Sequence, residues 1–120
     1  MAIHYNLAKV FEQTNSNSAL VKKTVESFVN DLPIQCKNLI LTIKNKQYEL
    51  TYQVALKIKP AFELMGMTIA YDEIEEVEHW ALKKGKRKQI EATMESLKLK
   101  IDKAVKEMNK DFKLTENMKV

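Results

Sequence analysis

The chain carries two histidines, His4 and His79, and one cysteine, Cys36, so its stock of nucleophiles and metal ligands is small. That stock cannot furnish a four-ligand zinc site or a disulfide framework, and no metal and no cofactor is expected. His79 follows the acidic run Asp72-Glu73-Ile74-Glu75-Glu76-Val77-Glu78. The carboxylates of Asp72, Glu75 and Glu76 lie on the same helix face and would repel an incoming anion. A solvated surface histidine is the plainer expectation. His4 lies in a segment expected to fray, without organised surroundings. The acidic run itself complements a helix N-terminus and reads as a solvated face. No two of its carboxylates make an acid/base pair, because nothing in the pattern buries one and not the other. Cys36 falls on an apolar stripe, where a small buried hydrophobe is expected rather than a redox centre. Lys83-Lys84-Gly85-Lys86-Arg87-Lys88 could meet phosphate or an acidic partner, although it also spans a helix C-terminus, where cations are favoured. No nucleophile, base and orienting group stand together in any pattern, so an enzyme is not expected.

The elements that must position these groups read as helices. The chain has 120 residues, 45% hydrophobic and 30% charged, enough for one domain with one core over residues 1–120. Two glycines and two prolines are too few for the turns of a multi-stranded β protein. Residues 7–12 predict a short lead-in helix with Asn6 as N-cap, its Leu7, Val10 and Phe11 covering one end of the core. A second helix starts near Ser18, and Val21, Val25, Phe28, Leu32, Cys36, Leu39 and Ile43 form one stripe at spacings of three and four. Pro33 predicts a kink or break near Asp31–Leu32, and the kept phase favours the kink. A third helix, from about Lys46 to Met65, turns Val54, Ile58, Ala61, Phe62 and Met65 inward, with Gly66 at its C-cap. Thr68 is expected to cap a fourth helix with Ala70, Ile74, Val77 and Ala81 inward, Trp80 at the edge of that stripe, and Gly85 ending it. A fifth runs from about Lys86 to Phe112 on Ile90, Met94, Leu97, Ile101, Val105, Met108 and Phe112, and residues 114–120 are expected to fray. The fold class is therefore all-α: an up-down-up-down antiparallel four-helix bundle with a short N-terminal extra helix.

On a helical wheel, Tyr52, Leu56, Lys59 and Glu63 share the side of the third helix opposite Val54, Ile58 and Phe62. Leu56 is thus an apolar residue on the solvent face, and a lone exposed leucine is ordinary by itself. Pro60, one turn on, removes the hydrogen bond to the carbonyl of Leu56, which suggests a shaped surface as readily as a bend around the core. Tyr52 is read as aromatic contact surface, a phenol being a poor acceptor without a base.

The segment Ala55-Leu56-Lys57-Ile58-Lys59-Pro60-Ala61-Phe62-Glu63-Leu64-Met65-Gly66 resembles the signature of the histidine phosphotransfer (HPt) family. That signature is Ala-His, any residue, an aliphatic residue, Lys, a small residue, and Gly six residues further on. Ala55, Ile58, Lys59 and Gly66 match in register. The Phe28–Leu32 region, the Leu64–Gly66 turn and the acidic fourth helix followed by Gly85 fall where the family has their counterparts. The resemblance implies a helical bundle with the motif on the outer face of a central helix, and transfer between a receiver's aspartyl phosphate and a histidine. Lys59 stands in the family's place for steadying phosphoryl charge, and Lys57 adds positive charge nearby. Two positions depart from the pattern. Leu56 stands where the family has its phosphoacceptor histidine, and Pro60 replaces a small residue.

Leucine has no lone pair, so the resemblance implies an HPt surface without its chemistry. The expected function is a module of two-component phosphorelay signalling that docks receiver domains of response regulators or hybrid histidine kinases through Tyr52, Leu56, Lys57, Lys59 and Glu63, without accepting phosphate. One alternative is a phosphotransfer protein of a working relay whose histidine was lost or mutated in this chain. Another, from a different class, is a basic helical scaffold binding nucleic acid through Lys83–Lys88, against which stands the lack of interleaved aromatics. No stretch reaches the roughly 18 apolar residues of a membrane span, so no membrane partner is expected. The first residues lack the basic start and apolar run of a signal peptide, which with the free thiol implies the cytoplasm.

Overall fold

A computed structural model describes residues 2–114. It contains α1 (Ala8–Gln13), α2 (Ser18–Lys44), α3 (Tyr48–Leu64), α4 (Thr68–Leu82) and α5 (Arg87–Phe112), and no strand among the described residues. α2 packs on α3 and α5, α4 packs on the same two helices, and α1 rests against α2. Among the described residues no helix is long and apolar enough to cross a membrane.

Three helices follow their apolar stripes closely. α2 starts where the Asn17 side chain accepts the Leu20 N–H at 3.2 Å, and its whole stripe from Val21 to Ile43 is buried. It runs unbroken through Pro33. Burial on both sides of the proline outweighs the one missing backbone bond, because both halves face the same core. In α4, Ala70, Ile74, Val77 and Ala81 are buried, and Trp80 beside them is buried as well. In α5, Ile90, Met94, Leu97, Ile101 and Met108 are buried together with Ala104, while Val105 and Phe112 sit half-buried at the edge.

α3 is rotated from the expected phase. Its innermost residues are Thr51, Ala55, Ile58 and Phe62, and Val54 and Ala61 are only half-buried. The small Ala55 is fully buried, and α3 packs most extensively against α4. Thr51 is buried at no hydrogen-bonding loss, because its hydroxyl lies 3.0 Å from the Gln47 carbonyl, to which it can donate, and 2.8 Å from the Thr42 hydroxyl, with which it shares a hydrogen bond. Phe62 meets Phe28 edge-on across the α2–α3 contact, ring centres 6.5 Å apart.

The three connections between the long helices share one backbone device. After α2, α3 and α4 a residue in the left-handed region is followed by a residue whose N–H reaches back over five positions: Gln47 to Thr42, Met67 to Phe62, Gly85 to Trp80. The left-handed residue is Gly66 (φ 64°) after α3, but Lys46 (φ 53°) and Lys84 (φ 51°) after the other two. Gly85 therefore does not supply a left-handed turn, as its place in the sequence suggested. It supplies space: a Cβ there would lie 2.4 Å from Trp80 Cδ1. The indole it accommodates donates to the Lys86 carbonyl at 2.8 Å, and the Tyr48 hydroxyl donates to the Gly85 carbonyl at 2.9 Å.

Other local expectations are corrected. Thr68 is the first residue of α4 and Met67 its N-cap, without a side-chain hydrogen bond. α1 begins at Ala8 with Leu7 as N-cap, and Asn6 serves one residue earlier by accepting the Ala8 N–H at 2.8 Å. Val10 enters the core, but Phe11 is exposed. The segment before α1 is anchored rather than frayed. Glu107 accepts the N–H groups of Ile3 and His4, the Tyr5 hydroxyl donates to Asp111 at 2.7 Å, and the Asn6 N–H donates to the Met65 carbonyl. At the other terminus Leu114 is buried, and the rest of the expected tail lies outside the described residues.

Candidate functional site

Leu56 lies on the outer face of α3 with about two-fifths of its surface exposed (41%). Ala55 and Ile58 beside it are buried, so the helix backbone is held to the core directly beneath the leucine. α3 runs unbroken through Pro60, which has no N–H to offer the Leu56 carbonyl. The outer face thus presents an exposed alkyl group next to a carbonyl that its helix leaves free.

The residues expected to act with Leu56 have different surroundings. Tyr52 is half-buried and packs against the core. Lys57 turns to the other side and lines a groove of about 600 Å³ between α2 and α3, with Lys23 and Asp31 among its neighbours. Glu63 is exposed and pairs with Lys9 of α1 at 3.3 Å. Gly66 ends the motif by close approach, since a Cβ there would lie 2.7 Å from Asn6 Cβ.

Lys59 is the residue whose surroundings matter most. Its ammonium reaches across to α4, 3.0 Å from Glu78 Oε1 and 3.7 Å from Glu75 Oε2, and stands 5.6 Å from the centre of the Tyr71 ring. The hydrogen bond to Glu78 holds its pKa above the ordinary lysine value. The Lys59 side chain keeps 22% of its exposure and that of Glu78 only 9%. One cation and two carboxylates leave this cluster negative by one unit, so Lys59 offers no net positive charge to an incoming anion.

Glu78 and Glu75 could not be singled out from the acidic run by composition. The run was expected to be solvated throughout, yet the structure divides it. Asp72 and Glu76 are exposed, Glu78 is buried against Lys59, and Glu73 is nearly buried against Lys100 at 3.1 Å. The signal that could have found them is the phase of α4, since Glu78 follows Val77 next to the inward stripe and faces whatever α3 presents there.

The remaining candidates are placed apart. His79 is exposed on α4, and His4 is exposed while its backbone is tethered by Glu107. Cys36 is buried, and that burial pushes its thiol pKa up, away from the reactive thiolate. Among the described residues no group of three or more His, Cys, Asp or Glu side chains is placed to hold a metal ion. No family model matches the chain, and neither the curated proteins nor the solved structures contain a match to it.

Proposed function

We propose that this chain is an interaction module of two-component phosphorelay signalling, of the histidine phosphotransfer kind, that docks receiver domains of response regulators or hybrid histidine kinases and takes no phosphate from them. In this reading α2 to α5 form an up-down-up-down antiparallel four-helix bundle with α1 as the extra helix. Connections of three or four residues and the contacts of α2 and α4 with both α3 and α5 support that arrangement.

The observation that carries the reading is an exposed Leu56 on the helix whose Lys59, one turn on, is paired with Glu78. Position 56 offers no lone pair, and the lysine that would steady phosphoryl charge is already neutralised. What remains is contact: an exposed apolar side chain with a polar surround can anchor an interface whose rim sets register. Docking without transfer would sequester a receiver or compete with active phosphotransfer proteins in the cytoplasm.

The test is a panel of receiver domains titrated against the wild type and Leu56→Asp. At least one receiver should bind the wild type, and Leu56→Asp should weaken it about tenfold or more, ~1.4 kcal/mol. Incubation with phosphorylated receivers should leave no acid-labile phosphate on the chain. If the wild type binds no receiver, or if phosphohistidine forms at His79 or His4, the reading is wrong.

A further inference from the structure

The two turns that connect α2 to α3 and α4 to α5 meet at one end of the molecule, joined by the Tyr48–Gly85 hydrogen bond and by the contact of the Tyr48 and Trp80 rings, centres 5.2 Å apart. Lys44 and Arg87 line the same groove between α2 and α5, which brings the two basic segments side by side. Residues 44–50 and 82–91 together hold seven cations against two carboxylates, Glu49 and Glu91, more positive charge than the +4 of the whole chain. Arg87 pairs with Glu91 at 3.3 Å. Among the described residues, Lys44, Lys46, Lys83, Lys84, Lys86 and Lys88 have no carboxylate within ion-pair distance, and all six are exposed.

Several of these lysines stand where the local structure disfavours them. Lys46 and Lys84 occupy left-handed positions that glycine or asparagine fills at less strain. Lys86, Arg87 and Lys88 open α5, whose first turn has no acidic residue, so their charges oppose the helix dipole. The start of α5 therefore carries three cations that its own helix does not favour, as suits a surface kept for something outside the fold. Each turn also carries exposed leucine within one helical turn of its lysines: Leu41 and Leu50 beside the first, Leu82 beside the second. The aromatic rings at this end, Tyr48 and Trp80, have their polar tips bound to backbone carbonyls and are not free to stack on bases.

We propose that this end of the molecule is a peripheral attachment surface for an anionic lipid membrane, its lysines meeting headgroup phosphates and Leu41, Leu50 and Leu82 entering the interface. Long lysine stems suit this, since they lie along apolar surface while the ammonium stays with the headgroups. The absence of a spanning helix bears on crossing a membrane and not on resting against one. The surface is independent of the docking reading above, which uses the middle of α3.

The test is co-sedimentation of the full chain with phosphatidylcholine vesicles with and without phosphatidylglycerol. Binding should require the anionic lipid and collapse at about 1 M salt, where the Debye length falls to about 3 Å. The triple variant Lys46→Asn, Lys84→Asn, Lys88→Glu relieves two left-handed lysines and complements the α5 dipole. It should therefore melt no lower than the wild type while partitioning at least about tenfold less. Leu41→Ser with Leu50→Ser and Leu82→Ser should reduce partitioning severalfold with the fold intact by circular dichroism. The proposal is overturned if neutral and anionic vesicles bind alike or not at all. Unchanged partitioning in either triple variant also overturns it. So does tighter binding to duplex DNA than to anionic vesicles at equal salt, which would make the surface a nucleic-acid interface.

Discussion

Replacing Lys59 by methionine keeps most of the side-chain stem and removes the charge that faces Glu78. At 3.0 Å and an effective dielectric of about 20, the gross attraction between the two groups is about 5–6 kcal/mol, much of it offset by the cost of taking both from water. Glu78 keeps 9% of its side-chain exposure, so the variant leaves a nearly buried carboxylate with no cation on it. Removing one partner of a fully buried pair costs about 3–5 kcal/mol; with Lys59 at 22% exposure, we expect about 2–3 kcal/mol here. Glu78→Gln should cost less, about 1–2 kcal/mol, because the amide needs no counter-charge. The double variant has neither charge and should be less destabilised than the sum of the singles by about 1–2 kcal/mol. Urea denaturation of the four proteins at neutral pH measures this cycle. The sign with pH follows from the raised pKa of Lys59: its contribution is whole below the ordinary lysine value of about 10.4 and is lost as pH rises through the higher folded value. If Lys59→Met costs under about 0.5 kcal/mol and the two changes add, Lys59 is a free surface cation and the neutralised site is an error. The same cycle has a functional arm. Under the proposed reading, Leu56→His alone introduces a nucleophile on the helix whose Lys59 is already paired, so it should accept phosphate from a receiver poorly, and adding Glu78→Gln should increase that acceptance.

Ile101→Asp should cost several kcal/mol by denaturation, whereas Val54→Asp, at a half-buried edge, should cost markedly less; equal costs would refute the observed rotation of α3. Gly85→Ala drives a methyl into the pinned Trp80 indole and should lower stability by about 2–3 kcal/mol with a change in tryptophan fluorescence. Burial, and then its hydrogen bond to Asp111, push the Tyr5 phenol well above the ordinary tyrosine value, so its share of stability is whole below about pH 10 and is lost as pH rises through the folded value. Tyr5→Phe should therefore cost about 1 kcal/mol at neutral pH and flatten the alkaline fall in melting temperature.

The helices of this protein were legible because each residue in a stripe reports its own preference for leaving water, and the 3.6-residue period adds those preferences in phase. Val21 to Ile43 and Ile90 to Met108 needed nothing else, and Pro33 could not break a stripe that both its sides share. Leu56 at the surface was legible for the same reason, as the residue opposite the stripe. The period misplaced α3 because its inner face is built on Thr51 and Ala55, one polar and one small. Their value lies in a hydrogen bond to Thr42 and in the close approach of α4, and neither is a property of the residue alone. The sequence placed Gly85 at the end of α4, but the left-handed turn falls on Lys84, and the space beside Gly85 is taken by Trp80, whose indole direction is set only when Lys86 accepts its N–H. The state of the candidate site was decided in the same way. Lys59 and Glu78 are nineteen residues apart, each an ordinary surface charge on its own helix, and their charges cancel only because α3 and α4 pack with these two side chains face to face.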